Sequence, residues 1–170
     1  MKNRVQALGL VLCVAVGLLI GARVVSAHHS DAVYDMTTVV LVEGTVTEHL
    51  LVNPHQIIRM TTKSPSGKTI VWQLVGANVL SVRKDGWTKD TLKPGAQVKV
   101  WGFPYRDGQP VMTWNMMIRK SDGKSLPISG AKHDKLARYL ATYGKKELSP
   151  DEYQLFLKEL SPEMRTRAGL

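Results

Sequence analysis

The centre of the chain, residues 39–120, alternates apolar and polar residues with the period of two that indicates β-strands. The segment VVLVEGTVTEHL is rich in β-branched residues and places Val40, Val42 and Val46 on one face. Turn residues then separate four further predicted strands, at residues 56–62, 69–75, 97–102 and 111–118.

A short helix is predicted between the third and fourth strands. Asn78 is suited to cap its N terminus, Val79 and Val82 to face inward, and Gly86 to end it. Five strands with a helix at this position are typical of the OB-fold, a small Greek-key barrel. We therefore predict a mainly β, five-stranded OB-like barrel over residues 28–126. Another small barrel or sandwich of similar strand count is the alternative.

The pattern changes to helical spacing in residues 127–170. A first helix is predicted over residues 131–143, with Gly144 after it. A second begins at Ser149, with Pro150 in its first position, Glu152 completing a capping box, and Leu148 and Tyr153 placed for a hydrophobic staple. This extension is predicted to be a helical hairpin that packs on the barrel or on a partner.

The first 27 residues have the organisation of a secretory signal peptide. Lys2 lies in a positive start, residues 7–20 form an unbroken apolar run, and the small residues Val25 and Ala27 suit signal peptidase. The run is shorter than the roughly 20 residues of a membrane-spanning helix. We expect cleavage between Ala27 and His28, a periplasmic or secreted chain, and no transmembrane segment after cleavage.

Charge and cysteine content narrow the functional classes. The 170-residue chain has a formal net charge of +9, and its predicted mature part carries +6. The single cysteine, Cys13, lies in the signal segment, so the mature chain has no disulfide framework, thiolate metal site or cysteine nucleophile. Its basic surface suits an anionic envelope component as partner. Export argues against nucleic acid.

Several short motifs occur in a characteristic order. They are AHHS at residues 27–30, Tyr34-Asp35, Glu43-Gly44-Thr45-Val46, Asn53-Pro54-His55, Trp72, Gly86-Trp87, Leu92-Lys93-Pro94-Gly95, Gly102-Phe103-Pro104 and Arg106-Asp107-Gly108. Over about residues 27–120 the chain resembles a family of small secreted proteobacterial proteins catalogued as a domain of unknown function. The resemblance implies a periplasmic location and a small β-barrel, but no activity, and the helical extension lies outside it.

The histidine exposed by cleavage is the candidate metal site. The α-amine of His28 and Nδ1 of its own ring can chelate one metal, and an imidazole from His29 or His55 completes three nitrogen ligands. The amine has a pKa of about 7.7–8.0, so a metal can displace its proton at neutral pH. Such a set suits Cu(II) best. It resembles the histidine brace of copper oxygenases and copper carriers in ligands, not in fold.

His55 is the preferred partner of His28 because of its neighbours. Pro54 has no N–H and restricts Asn53, so the strand must break or bulge there, and a bulge can re-aim His55 toward the mature N terminus. His49 is a weaker alternative ligand. The structural alternative is that two terminal histidines simply follow a signal peptide and that residues 53–55 form only a turn.

Two further residues, Trp87 and Asn53, are candidate ligand contacts. Trp87 follows a glycine in a loop, where it contacts a ligand or packs beneath the barrel, and Asn53 lies beside the candidate ligand His55. Trp72 and Trp114 are predicted core residues. Alternation also predicts that one face of the last strand carries Met112, Trp114, Met116 and Ile118, so we interpret the methionines as core rather than as copper ligands.

These observations favour a binding or carrier module over an enzyme, with copper as the candidate cofactor. The sequence shows no recognisable acid/base pair, nucleophile elbow or phosphate-binding glycine loop. One alternative is a metal-free interaction protein whose barrel face or helical extension binds an envelope protein. The other is a copper-dependent redox enzyme, which needs an open metal position.

Overall fold

The computed structural model describes residues 31–126, 136–139, 148–159, 162 and 165–166. Its strands are β1 (Val40–Leu51), β2 (His55–Lys63), β3 (Thr69–Asn78), β4 (Gln97–Pro104), β5 (Val111–Arg119) and β6 (Lys124–Ser125). Its helices are α1 (Val79–Lys84) and α2 (Pro150–Glu159), with a 3₁₀ turn at Asp31–Val33 and helical backbone at residues 136–139. All five predicted strands are confirmed, and the short β6 pairs with the end of β5.

The five long strands close into a barrel. β1 pairs antiparallel with β2 and β4, β2 with β3, and β4 with β5, while a parallel pairing of β3 with β5 closes the circle. Residues 40–45 of β1 pair with β4, and residues 45–51 pair with β2. Gly44 lies next to this change of partner. A Cβ there would lie 2.2 Å from the Thr61 carbonyl oxygen, so a glycine permits the close approach of the strands.

Helix α1 has the N-terminal cap, the buried face and the C-terminal glycine that the sequence predicts. The Asn78 side chain accepts a hydrogen bond from the Ser81 N–H at 2.9 Å. Val79 and Val82 are buried, and Gly86 follows the helix with a φ of 90°. The left-handed backbone at that position favours glycine, which explains why the helix ends there.

The barrel interior is filled by apolar side chains from all five long strands. The buried strand residues are Val42, Val46, Ile58, Met60, Leu74, Val98, Val100, Met112, Trp114 and Met117. Val82, Trp87 and Leu92 join the same cluster, so α1 and the loop after it are part of the barrel core.

The prediction for the faces of β5 was wrong. The residues expected on one face were Met112, Trp114, Met116 and Ile118. The first two lie in the barrel interior, whereas the last two lie in a separate cluster outside it. The pairing of β5 with β4 shifts after Trp114 and leaves Asn115 as an extra residue. One extra residue exchanges the faces of every residue that follows it, and a period-two pattern does not reveal this.

The helical extension packs on the outer face of β4 and β5. This second cluster contains Trp101, Phe103, Met116 and Ile118 of the barrel together with Leu136, Ala137, Leu148 and Phe156 of the extension. Phe156 is 0% exposed, and the Tyr139 ring meets Phe103 edge to face at 5.9 Å between centroids. Of the two sequence alternatives, packing on the barrel is therefore the one observed.

The capping box of α2 is confirmed. The Glu152 N–H donates to Ser149 Oγ at 3.3 Å, and the Ser149 N–H donates to Glu152 Oε2 at 2.9 Å. Most of the helix predicted over residues 131–143 and the Tyr153 side chain of the predicted staple lie outside the described residues. Across the described part of the chain, no helix is long and apolar enough to cross a membrane.

Candidate functional site

The predicted copper site is only partly covered by the described residues. His28 and His29 lie outside them, so the grouping of His28 and His29 with His55 stays a prediction. His55 is the first residue of β2, follows the cis Asn53–Pro54 peptide bond, and is half-buried. The β2–β3 pairing shifts register between His55 and Ile57, so the irregularity expected at this point is present.

The chain just after Ser30 is anchored on the loop between β4 and β5. Tyr34 forms an isolated antiparallel bridge with Tyr105, and the two rings meet edge to face at 5.0 Å between centroids. Arg106 donates its backbone N–H to the Val33 carbonyl at 3.0 Å and its Nε–H to the Ala32 carbonyl at 3.0 Å. Motifs about 70 residues apart in the sequence thus meet in the fold.

The second described histidine, His49, faces the barrel interior because β1 contains a bulge. The β1–β2 pairing shifts between Val46 and Glu48, and beyond it His49 pairs with the buried residue Ile58. Because Val46 already faces inward, an unbroken strand would turn residue 49 outward. The bulge therefore places a histidine where the sequence pattern predicts a surface position.

The His49 ring has partners inside the protein. Gln56 Nε2 lies 3.1 Å from His49 Nε2, and the Trp87 ring meets the imidazole edge to face at 5.3 Å between centroids. The tautomer of the ring and the orientation of the amide decide which of the two nitrogens donates in this contact.

Burial lowers the pKa of His49 below its ordinary value of 6.5, and the nearby backbone of Lys89 and Leu92 acts in the opposite direction without reversing the shift. Burial therefore favours the neutral ring, which is the form that binds metals. What counts against His49 as a ligand is that its ring is already engaged by Gln56 and packed against Trp87. Among the described residues, no group of three His, Cys, Asp or Glu side chains lies close enough to hold a metal.

Gln56 is a completely buried polar residue opposite a glycine. A Cβ on Gly76 would lie 2.3 Å from Gln56 Oε1, so the glycine makes room for the amide. Gln56 Oε1 has no hydrogen-bond partner in the described part of the chain. Sequence reasoning missed this residue because a glutamine near a strand start is ordinarily exposed.

The two candidate ligand contacts lie in different environments. Trp87 is 2% exposed and packs against Trp114 at 5.6 Å between ring centroids, whereas Asn53 is exposed. A ligand contact at either residue stays a prediction. For Trp87 such a contact requires a ligand that enters the barrel, because the ring is enclosed.

A cleft that the sequence did not predict opens beside the point where β1 changes partner. It has a volume of about 420 Å³, and its lining includes Glu43, Thr45, Thr61, Lys63 and Lys120. Lys120 Nζ donates to Glu43 Oε2 at 2.9 Å, and Lys99 Nζ lies 3.7 Å from Glu43 Oε1. Residues 43–45, residues 61–63, Thr69, Gln97 and Lys120 supply this lining from separate parts of the sequence, so no local motif could have indicated it.

Comparison with known families gives one match. The model of a family of unknown function, DUF6152, matches residues 16–113, which is more than half of the chain. The matched region runs through β1 to β4 and into the start of β5, and the helical extension lies beyond it. No curated protein and no solved structure was found to match.

Proposed function

The chain belongs to the family of unknown function DUF6152, and we propose that it is an exported binding or carrier module that holds Cu(II) at its mature N terminus. The α-amine and ring of His28 are two ligands, and His55 or His29 supplies the third. The contrast between the two described histidines carries this choice. Both rings are half-buried, but His49 lies on the interior face of β1 against Gln56 and Trp87, whereas His55 is the first residue of β2 and lies next to the register shift with β3.

The proposed barrel class is OB-like. It is supported by the strand order β1-β2-β3-β5-β4, by the single parallel pairing of β3 with β5, and by α1 between β3 and β4. The proposed organisation is a cleaved signal peptide over residues 1–27, the barrel over residues 28–126 and a helical hairpin over residues 127–170. The helical backbone at residues 136–139 and helix α2 support the hairpin.

A copper titration tests the proposal. Protein purified from the periplasm is first checked by mass for an N terminus at His28, then titrated with Cu(II) by calorimetry and electron paramagnetic resonance. Tight one-to-one binding is expected, because the amine and the ring share one residue. The control protein carries one extra alanine before His28, which moves the amine away from that ring. Equally tight binding by both proteins would contradict the chelate.

Single substitutions then separate the ligands. His55→Ala is expected to weaken copper binding and to alter the resonance spectrum, whereas His49→Ala, the matched control, should leave the spectrum unchanged. If the His55→Ala protein binds copper as tightly as the parent protein, the His29→Ala protein is expected to show the weakened copper binding instead. Unchanged spectra for both variants would rule out a third imidazole from either residue.

The cleft favours a second candidate function, which is metal-free binding of an envelope component. Its lining includes Lys63 and Lys120, and it does not include His55. In this case, replacing His28 and His55 by alanine should leave partner binding unchanged. Loss of partner binding in that double variant would instead link the partner to the metal site.

A further inference from the structure

The cleft beside β1 has features that the proposed copper function does not use. Thr45 pairs with both Gln97 of β4 and Thr61 of β2, and Gly44 contributes no side chain to the lining. Its volume of about 420 Å³ falls in the range of pockets that hold small organic ligands, roughly 300–1,000 Å³. The space therefore suits a small molecule rather than a single ion.

The described lining of the cleft carries two lysines, Lys63 and Lys120, against one carboxylate, and nearby Lys99 is shared between that carboxylate and Glu152. Glu43 is this carboxylate, and its two oxygens lie 2.9 Å from Lys120 Nζ and 3.7 Å from Lys99 Nζ. The hydrogen bond from Lys120 lowers the pKa of Glu43, so this carboxylate stays ionised with its charge offset. Lys63 Nζ donates to Thr69 Oγ1 at 2.6 Å and has no ion-pair partner among the described residues.

Hydroxyl and amide groups supply the rest of the polar lining. Thr45 and Thr61 pair directly across β1 and β2 and line the cleft, and neither hydroxyl is hydrogen-bonded to a described residue. The Gln97 amide lies beside them. These groups both donate and accept, as the hydroxyls of a polyol require. The described lining contains no aromatic ring, so it does not offer a surface for stacking.

From this lining we propose that the cleft binds a phosphorylated polyol. Lys63 and Lys120 hold the phosphate, because ammonium groups attract phosphate oxygens as compact charges. The threonine hydroxyls and Gln97 bind the polyol. This chemistry is shared by a free sugar or glycerol phosphate and by a phospholipid headgroup. The inference goes beyond the copper proposal and does not depend on it.

Calorimetric titration at low ionic strength tests the ligand class. Glycerol phosphate is expected to bind saturably at one site, inorganic phosphate to bind more weakly, and glycerol not to bind. Equal affinity for the two phosphates would overturn the polyol part of the proposal. No saturable binding of either would overturn it entirely. Sedimentation with phosphatidylglycerol vesicles distinguishes the sources, since binding to vesicles indicates a headgroup and its absence indicates a free phosphate ester.

Surface variants locate the binding. Lys63→Ala is expected to weaken glycerol phosphate binding by about tenfold, the usual effect of losing a charge-assisted hydrogen bond. Thr61→Val keeps the side-chain shape and should cause a smaller loss. The matched control is Lys84→Ala, which removes an exposed lysine of α1 outside the cleft.

An equal loss in Lys84→Ala would show that net charge alone attracts the anion, and would overturn the site. Melting temperatures establish that each variant is folded. Protein with the extra alanine before His28 is expected to bind glycerol phosphate normally. A negative result for the copper site therefore leaves the cleft proposal standing, and a negative result for the cleft leaves the copper proposal standing.

Discussion

At the scale of single residues, the barrel depends on two positions that interrupt the strand period. The bulge at Thr47 turns His49 inward, and the extra residue Asn115 turns Met116 outward. The first change places the polar pair of His49 and Gln56 in the interior, where polar groups are costly unless they are hydrogen-bonded. The barrel core is thus sensitive to the protonation of one ring.

Stability should fall as the pH drops below about 6.5, the ordinary pKa of histidine in an unfolded chain. Burial gives His49 a lower pKa in the folded protein, so the unfolded state binds the proton more readily below that pH. The stabilisation that comes from keeping His49 unprotonated is complete above about pH 6.5. It is lost as the pH falls toward the pKa of His49 in the folded protein, and the free energy of unfolding changes by at most about 1.4 kcal/mol per pH unit. Urea unfolding at a series of pH values from about 8 to about 5 measures this change in the free energy of unfolding.

The variant His49→Gln isolates this effect, because glutamine keeps a polar side chain of similar size but does not titrate. It is expected to be less stable at high pH, since it loses the edge contact of the ring with Trp87. Its stability should also depend less steeply on pH than that of the parent protein. Equal slopes for the two proteins would assign the pH dependence to other groups.

At the scale of the elements, helix α2 joins the extension to the barrel by a polar contact as well as an apolar one. Glu152 Oε2 closes the capping box with Ser149, and Glu152 Oε1 accepts a hydrogen bond from Lys99 Nζ of β4 at 2.5 Å. The Lys99 and Glu152 side chains are 24% and 16% exposed. One carboxylate therefore caps the helix and fixes it against the barrel.

Substitutions at the start of α2 are expected to rank by the contacts that they remove. Ser149→Ala should lower the free energy of unfolding by about 1 kcal/mol, the usual cost of losing an N-cap. Glu152→Ala should lower it further, because it also leaves the partly buried Lys99 without this partner. Asp151→Ala, an exposed acidic residue in the same turn, is the control with the smallest loss. Equal decreases in the free energy of unfolding for the three variants, measured with urea, would contradict this ranking.

At the scale of the whole molecule, the features that could be predicted from the sequence are those specified by a local pattern of residues. The five long strands, the Asn78 cap of α1 and the capping box of α2 are each specified within a few residues, and each is observed. The faces of β5, the interior position of His49 and the cleft were not predictable. Each depends on a bulge or on strands that meet only when the barrel closes.

The shared cluster between barrel and extension predicts that the two unfold together. Phe156 of α2 is completely buried with Trp101 and Phe103 of β4, so loss of the helix would expose apolar surface of the barrel. Trp72, Trp87 and Trp114 pack in the barrel cluster and report on the barrel, whereas Trp101 also senses the extension. Far-ultraviolet circular dichroism follows the helices as well. The two signals are expected to change in one coincident transition.

Phe156→Ala should shift that transition as a whole, because truncating a buried phenylalanine costs about 3–5 kcal/mol. Leu80→Ala is the matched control, since Leu80 is an exposed apolar residue of α1 at 69% exposure. If Phe156→Ala moves only the circular dichroism signal and leaves the tryptophan transition in place, the extension unfolds independently of the barrel. If both signals move by the same amount, the barrel and the extension form one cooperative unit.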